Sequence, residues 1–437
     1  MRRGFIFDHD LCVRCNACSA ACILENKWNE IPRTIYQINT DALLSIPVIN
    51  LSLACNHCEK PVCLTGCPVG AFYKEGITGA VLINEKKCLG CNYCTWNCPY
   101  DAIKPDSLQK VVVKCHLCHS LLTEGGNPAC SSACPTGALH YGSIPDNADT
   151  SRYPWFPEKK INPSLELKGN PGQNPLRIVP ETIFNNEISS GMDRRKSIGE
   201  EWSLAAFSFL STISVALMFS WFLTGSIQKK FLILVLLILS GLVSLLHLGK
   251  KVRAWRVMFN IPTSPLSREI AAYIVYLLMS AAAVISESGG LIIASSVAGL
   301  IMLITIDSVY SFPDRRMKFL FHSGQTFLTG LLLGSFFSGM IVSFLFIGGI
   351  KLVSGILYLI SDKDYPGVFA FRFLRLALLL TAIITKTIGI IDPVIAWLFL
   401  SGELIDRILY YYDFKPVNIN TTISGYIKSY LNEKKGD

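Results

Sequence analysis

The chain has 437 residues, a formal net charge of +8 and 51% hydrophobic residues, which is enough for two or three domains. The apolar residues concentrate beyond residue 201 and the cations cluster beside those runs, a pattern of membrane orientation rather than nucleic-acid binding. All sixteen cysteines lie between Cys12 and Cys134, and the opening MRRGFIFDHD has no apolar leader, so a secreted disulfide framework is a poor fit.

Residues 1–142 carry the cysteines in four quartets: Cys12, Cys15, Cys18, Cys22; Cys55, Cys58, Cys63, Cys67; Cys88, Cys91, Cys94, Cys98; and Cys115, Cys118, Cys130, Cys134. Each begins C-x-x-C and ends C-x-x-x-C, and three are followed by proline: Pro68, Pro99 and Pro135. A C-x-x-C-x-x-C turn brings three thiolates to one cubane, and the cysteine before proline turns away to the other cluster of a pair. Sixteen thiolates then account for four 4Fe-4S clusters. Zinc ribbons also use C-x-x-C pairs, yet have no reason to repeat a third close cysteine and a C-P dipeptide. The C-P repeat, followed each time by an apolar group, predicts two ferredoxin modules of two clusters each. His57 and His116 fall between paired cysteines, with His9, His119 and His140 nearby. They are expected as polar residues at cluster-loop surfaces, able to tune a cluster by hydrogen bonding.

The runs LACNHCEKPVCLTGCPVGAF (53–72), KCLGCNYCTWNCPYDAI and KCHLCHSLLTEGGNPACSSACPTGALHYG resemble the four-cluster iron-sulfur subunit of dimethyl sulfoxide reductase-type molybdoenzymes over about residues 3–142. That resemblance implies one cluster on Cys12, Cys15, Cys18 and Cys134, and a second on Cys115, Cys118, Cys130 and Cys22. It implies a third on Cys88, Cys91, Cys94 and Cys67, and a fourth on Cys55, Cys58, Cys63 and Cys98. It further implies a wire with the Cys12 cluster toward a molybdopterin catalytic subunit and the Cys55 cluster toward the membrane. Some relatives replace the second cysteine of the third quartet and carry a 3Fe-4S centre; Cys91 is kept, so four cubanes are expected.

Seven prolines break residues 143–200, and Tyr153, Trp155, Phe156, Ile178, Val179, Ile183 and Phe184 supply apolar anchors. The segment is expected as an extended strap.

A membrane-crossing helix needs about 20 apolar residues. Eight such runs are expected within 201–413: 203–224, 229–248, 269–287, 290–311, 321–338, 340–360, 367–387 and 390–411, with 414–437 a polar tail. The fold class is α+β, a double ferredoxin-like four-cluster domain followed by an all-α eight-helix bundle. An even count places both ends on one side, with Arg194, Arg195, Lys196, Lys250, Lys251, Arg253, Arg256, Arg268, Arg315, Arg316, Lys318, Lys363 and Lys415; the other side carries Lys229, Lys230 and Lys386. The positive-inside rule makes the cluster side cytoplasmic. A periplasmic cluster domain, as in many members of the resembling family, is the alternative.

SLLHLGKKVRAWRVMFNIPTSPLSREI (244–270) resembles the second loop of the dimethyl sulfoxide reductase membrane anchor, a haem-free quinol-binding subunit, through His247-Leu248-Gly249, Arg253-Ala254, Asn260 and Leu266-Ser267 with Glu269. Typical relatives keep cluster and anchor chains separate; here they are fused. Quinol oxidation releases two protons, and His247 at the end of the second helix could accept one. Glu269 is expected to begin the third helix, where the helix dipole favours a carboxylate. Arg372, Arg375 and Lys386 are expected to snorkel, Glu403 and Arg407 to pair along one helix, and Asp307 and Lys351 to be interhelical partners or proton-path groups. Haem would need two histidines, and the apolar half has only His247 and His322, so none is expected.

The expected function is an electron-transfer and anchor subunit of a molybdopterin oxidoreductase, passing electrons from (mena)quinol through the clusters. The alternatives are the same wire run as a quinone-reducing dehydrogenase, for example of sulfite, or a membrane-anchored polyferredoxin.

Overall fold

The computed structural model describes residues 2–38, 48–146, 148, 150–157, 161–169, 198–225, 230–311, 324–361, 366–390, 392–414 and 418–433. The chain divides into two units, one formed by residues 1–194 together with 415–437 and the other by residues 195–414.

The first unit is built from short pieces, as its density of turns dictates. Strand β1 (Arg2–Asp8) is followed by helix α1 (Ala17–Asn26), then β2 (Thr34–Ile38) pairs antiparallel with β3 (Ile49–Leu53). After α2 (Val62–Gly66), β4 (Phe72–Lys74) pairs with β5 (Val81–Ile83); after α3 (Tyr93–Asn97), β6 (Ile103–Asp106) pairs with β7 (Val111–Lys114). Helices α4 (His119–Thr123) and α5 (Ala129–Ser132) lead into β8 (Leu139–Ile144). Each C-P dipeptide is thus followed by a strand, because proline ends the preceding helical turn and has no N–H to continue it.

The strap, expected to lie over the cluster domain or a partner subunit, joins this unit. Its strand β9 (Leu165–Lys168) runs parallel to β1 while β8 runs antiparallel on the other side, and Tyr153, Trp155 and Phe156 are buried. Gly4 is required here, since a Cβ would lie 2.2 Å from the Ser164 carbonyl oxygen that accepts from the Phe5 N–H. The other expected anchors, Ile178, Val179, Ile183 and Phe184, lie outside the described residues.

Among the described residues the second unit has eight α-helices: α6 (Ile198–Thr224), α7 (Lys230–Ser244), α8 (Pro265–Ser286), α9 (Gly289–Ser311), α10 (Thr326–Ser338), α11 (Ile341–Ser361), α12 (Pro366–Ile388) and α13 (Pro393–Asp413). Six are long and apolar enough to cross a membrane. Helix α10 is only 13 residues long, and α13 carries Glu403, Asp406, Arg407 and Asp413. Outward-facing Leu232, Val235, Ile238, Leu239 and Leu242 line α7. Lipid supplies no hydrophobic drive between helices, so small residues and hydroxyls do the joining. Ser211 bonds Ser240 at 3.1 Å, Ser280 bonds Ser295 at 2.9 Å, and a Cβ on Gly334 would meet Phe219 at 2.8 Å.

Two expectations need correcting. Helix α8 starts at Pro265, capped by Ser264, whose hydroxyl accepts from the Ser267 N–H; Glu269 therefore sits in its second turn instead of beginning it. The polar tail forms helix α14 (Ile419–Glu433), and Ile419, Ile423 and Ile427 at four-residue spacing bury one face in the core of the first unit.

Candidate functional site

In all four C-x-x-C loops the second intervening residue is left-handed: Arg14 (φ 58), His57 (φ 43), Gly90 (φ 68) and Leu117 (φ 65). Such a turn points successive N–H groups into one concavity suited to anions. The Gly90 N–H accordingly lies 3.4 Å from the Cys88 Sγ and the Leu117 N–H 3.3 Å from the Cys115 Sγ. Three residues past each cysteine that precedes proline, Gly70, Asp101 and Gly137 are also left-handed. Their N–H groups return to the carbonyls of Cys67, Cys98 and Cys134 at 3.4, 3.4 and 3.3 Å. The Cys67 and Cys134 sulfurs then accept from Ala71 and Leu139 at 3.3 and 3.4 Å. Spacing thus dictates local geometry before any long-range contact forms.

None of the sixteen cysteines is in a disulfide. Burial pushes Cys22 up to about 12, with Cys130 and Cys118 adding to the rise. It pushes Cys91 up to about 12, with Cys67 and Cys88 adding, and Cys98 up to about 11, with Cys55 adding. It raises Cys12, with Cys18, Cys134 and Cys15 adding. It raises Cys58 well above its ordinary value, where Cys55, Cys98 and Cys63 add. Thiols held this way need metal to stabilise the thiolate. They also surround a space instead of a point: among the described residues no three potential ligands gather closely enough for a single ion. Converging thiols and inward N–H groups fit a cubane.

The quartets are neighbours: Cys55 adds to the rise of the Cys115 thiol and Cys63 to that of Cys94, so the Cys55 quartet faces both the Cys115 and the Cys88 quartets. Sequence distance gave no hint of these neighbours.

Two buried cations in this row were not expected from the sequence. Arg33, 2% exposed, lies with its guanidinium carbon 4.6 Å over the Phe5 ring, and its Nη1 donates to the Ser52 carbonyl and hydroxyl at 3.3 and 3.1 Å. The same hydroxyl is 3.3 Å from the Cys18 Sγ. Burial opposes the charge of Arg33, but Cys130, Cys115, Cys18 and Cys22 outweigh it and raise the pKa. Lys114, 3% exposed, donates to the carbonyls of Val81 and Cys115. Nothing local marks either residue; Arg33 merely precedes β2 and Lys114 ends β7.

Two of the histidines, His9 and His57, are buried and not at a surface. His57 is buried, its Nδ1 accepts from the Val81 N–H at 3.0 Å, and burial with Lys114 nearby holds its pKa well below 6.5. His116 packs edge-on to Trp28 with ring centroids 5.0 Å apart, and His9 packs against Tyr153 and Trp155. His119 lies 3.5 Å from Glu75, and His140 is exposed on β8.

In the second unit Glu269 is buried, and the charges acting on it are those of Arg407 and Asp307, not His247. Arg407 donates to the Ser208 hydroxyl at 2.8 Å and the Gly324 carbonyl at 2.9 Å, and lies 3.7 Å from Asp307. Asp307 accepts the Thr326 and Phe327 N–H groups at 3.0 and 3.1 Å at the start of α10. Tyr310 and Tyr411 share a hydrogen bond of 2.8 Å beside Arg407. These groups come from the starts of α6, α8 and α10 and the ends of α9 and α13, so they gather at one end of the bundle. His247 lies in a short 3-10 turn after α7 with its Nδ1 buried and unpartnered. His322 lies outside the described residues.

Other charges pair across helices. Lys351 is bonded to Glu403 and lies 3.1 Å from Asp406, Arg375 is 2.9 Å from Asp406, and Arg372 is 2.7 Å from Asp413. Glu403 and Arg407 therefore do not pair with each other, and Arg372 and Arg375 are buried ion-pair partners that do not snorkel. A buried charge is tolerated when paired, and the four charges of α13 inside an apolar helix were the signal for these contacts. Lys386 lies 3.4 Å from the Phe336 carbonyl and over its ring.

A 4Fe-4S dicluster domain model matches residues 47–144, and a DMSO reductase anchor subunit (DmsC) model matches residues 201–361. Similar curated proteins include a sulfite dehydrogenase subunit of Allochromatium vinosum, 33% identical over 41% of this chain and 78% of that protein. An anaerobic dimethyl sulfoxide reductase subunit of Haemophilus influenzae is 33% identical over 38% of this chain and 89% of its own length. A polysulfide reductase subunit of Wolinella succinogenes is 36% identical over 40% and 93%.

Proposed function

This polypeptide is a member of the family of iron-sulfur and membrane-anchor electron-transfer subunits of dimethyl sulfoxide reductase-type oxidoreductases, here fused in one chain, and on that premise we propose that it carries electrons from membrane quinol through four 4Fe-4S clusters to a separate molybdopterin catalytic subunit. It is a multi-pass bacterial membrane protein that does not itself transform the terminal substrate. The observation that carries the proposal is four cysteine quartets, none in a disulfide, on left-handed C-x-x-C turns in a chain continuous with a helical anchor.

Each cluster, when bound, takes up and releases one electron. The protein holds the thiolates in place, directs N–H groups at the sulfurs and excludes water from the row. In the anchor, Glu269 and His247 would bind quinol and take its hydroxyl protons, with Glu269 held among Arg407, Asp307 and Tyr310. We place menaquinone or a related quinone at this end of an eight-helix anchor spanning residues 201–413, with no haem, and the cluster domain on the cytoplasmic side. One relative is named a sulfite dehydrogenase subunit, which favours as second reading the same row run toward quinone.

The test is anaerobic purification of the membrane complex with iron and molybdenum analysis, then reduction by a menaquinol analogue followed by EPR. About sixteen irons per chain, a copurifying molybdenum protein and quinol-driven cluster reduction that Glu269→Gln and His247→Leu abolish are expected. Far fewer irons, or quinol-linked reduction surviving both substitutions, would overturn it.

A further inference from the structure

Arg33 and Lys114 are cations in the interior of an anionic row, and among the described residues neither has a carboxylate partner. Burying an unpaired charge is expensive, and hydrogen bonds to two carbonyls and a hydroxyl satisfy only part of the need. The Nε and Nη2 of Arg33 are buried and find no protein partner. Arg33 reaches the Cys18 Sγ through the Ser52 hydroxyl, and Cys22, Cys115 and Cys130 are the other thiols that act on its charge; in the four-cluster reading Cys18 and these three belong to two different clusters. Lys114 is bonded to the carbonyl of Cys115 and lies in Coulomb range of Cys63, of the next group along the row. One cation therefore occupies each of the first two gaps along the row. A cubane with four thiolates is a net anion in both redox states, and its potential depends on local charge and on hydrogen bonds to its sulfurs.

We propose that Arg33 and Lys114 are fixed counter-charges of the electron row, each raising the reduction potentials of the two clusters that flank it. The proposal rests on the four-cluster reading above. A buried positive charge stabilises the reduced, more negative state of both neighbours, and low dielectric makes the effect strong. The cluster between them, on Cys22, Cys115, Cys118 and Cys130, feels both cations. Each hop moves one electron, oxidising one cluster as the next is reduced, so no proton or further reactant is needed. The guanidinium keeps its charge at every accessible pH.

The experiment is an EPR-monitored redox titration of the purified complex with Arg33→Gln, Arg33→Lys and Lys114→Gln, with iron counted in each. In Arg33→Gln two couples are expected to shift down while the other two stay. In Lys114→Gln two couples also shift, and one couple is common to both variants. The expected size is a tenfold fall in the reduced-to-oxidised ratio at the parent midpoint, about 59 mV for a one-electron couple. Arg33→Lys, which keeps the charge, should restore most of it. A merely structural arginine would leave intact clusters at parent potentials, and that result in Arg33→Gln overturns the proposal. If Arg33→Gln fails to assemble clusters, Lys114→Gln decides, and unchanged potentials there overturn it equally. A parent complex with far too little iron would instead sink the four-cluster reading, and the proposal with it.

Discussion

At the scale of single residues, burial decides which side chains carry protons and which carry charge. His57 has its Nδ1 occupied as an acceptor and its pKa held well below 6.5 by burial first and by Lys114 next. Folded His57 is therefore neutral, whereas the unfolded chain takes up a proton below about pH 6.5. A depressed histidine pKa contributes stability that is complete above about pH 6.5 and is lost as pH falls, by at most about 1.4 kcal/mol per pH unit. Thermal unfolding of the complex should show a lower melting temperature at pH 5.5 than at pH 7.5, with a shallower slope in His57→Gln. In the anchor, Lys351→Met leaves Glu403 buried without its partner while Asp406 keeps Arg375. Breaking a buried pair costs about 3–5 kcal/mol. Thermal inactivation in detergent should show that loss, and adding Glu403→Gln should recover most of it.

Among the elements, α14 bears most on the cluster domain. Its Ile419, Ile423 and Ile427 belong to the same buried core as Phe5, Leu51, Val112 and the cysteines. An Ile→Ala change in a packed core costs about 2–5 kcal/mol, so Ile423→Ala should speed iron loss to a chelator severalfold. If iron release were unchanged, the helix would not be part of that core. The same residues explain a limit of sequence reading. Three isoleucines in a segment of Asn, Thr, Ser and Lys make an amphipathic face, but nothing in their order says what they cover. Helix α8 teaches a complementary lesson: Ser264-Pro265 is a readable start signal, masked because the apolar run begins later.

Across the molecule, the chain leaves the cluster unit before the anchor and rejoins it afterward. The proposed anchor of eight crossings is even and would put both of its ends on one side of the membrane. Reporter fusions at the N-terminus and at the C-terminus should be accessible from the same side, and one inserted near Gly225 from the opposite side. Termini accessible from opposite sides would refute an even bundle. Lys250, Lys251, Arg253 and Arg256 follow α7 on the side of the termini, which the positive-inside rule predicts to be cytoplasmic.

What the amino-acid order determined by itself is whatever short spacing controls. C-x-x-C-x-x-C sets the left-handed turns and converging thiols, C-P sets the exit into a strand, and unbroken apolar runs set the long helices. The tertiary structure alone decided which thiol groups are neighbours, the burial of Arg33 and Lys114 between them, and the joining of Glu269 to Asp307 and Arg407. It also decided that Arg375 pairs with Asp406 and that α14 covers the cluster domain. The reason is range: a turn or a helix is settled by neighbours a few residues apart, whereas a charge in a core is settled by groups up to hundreds of residues away, brought close only when the whole chain packs.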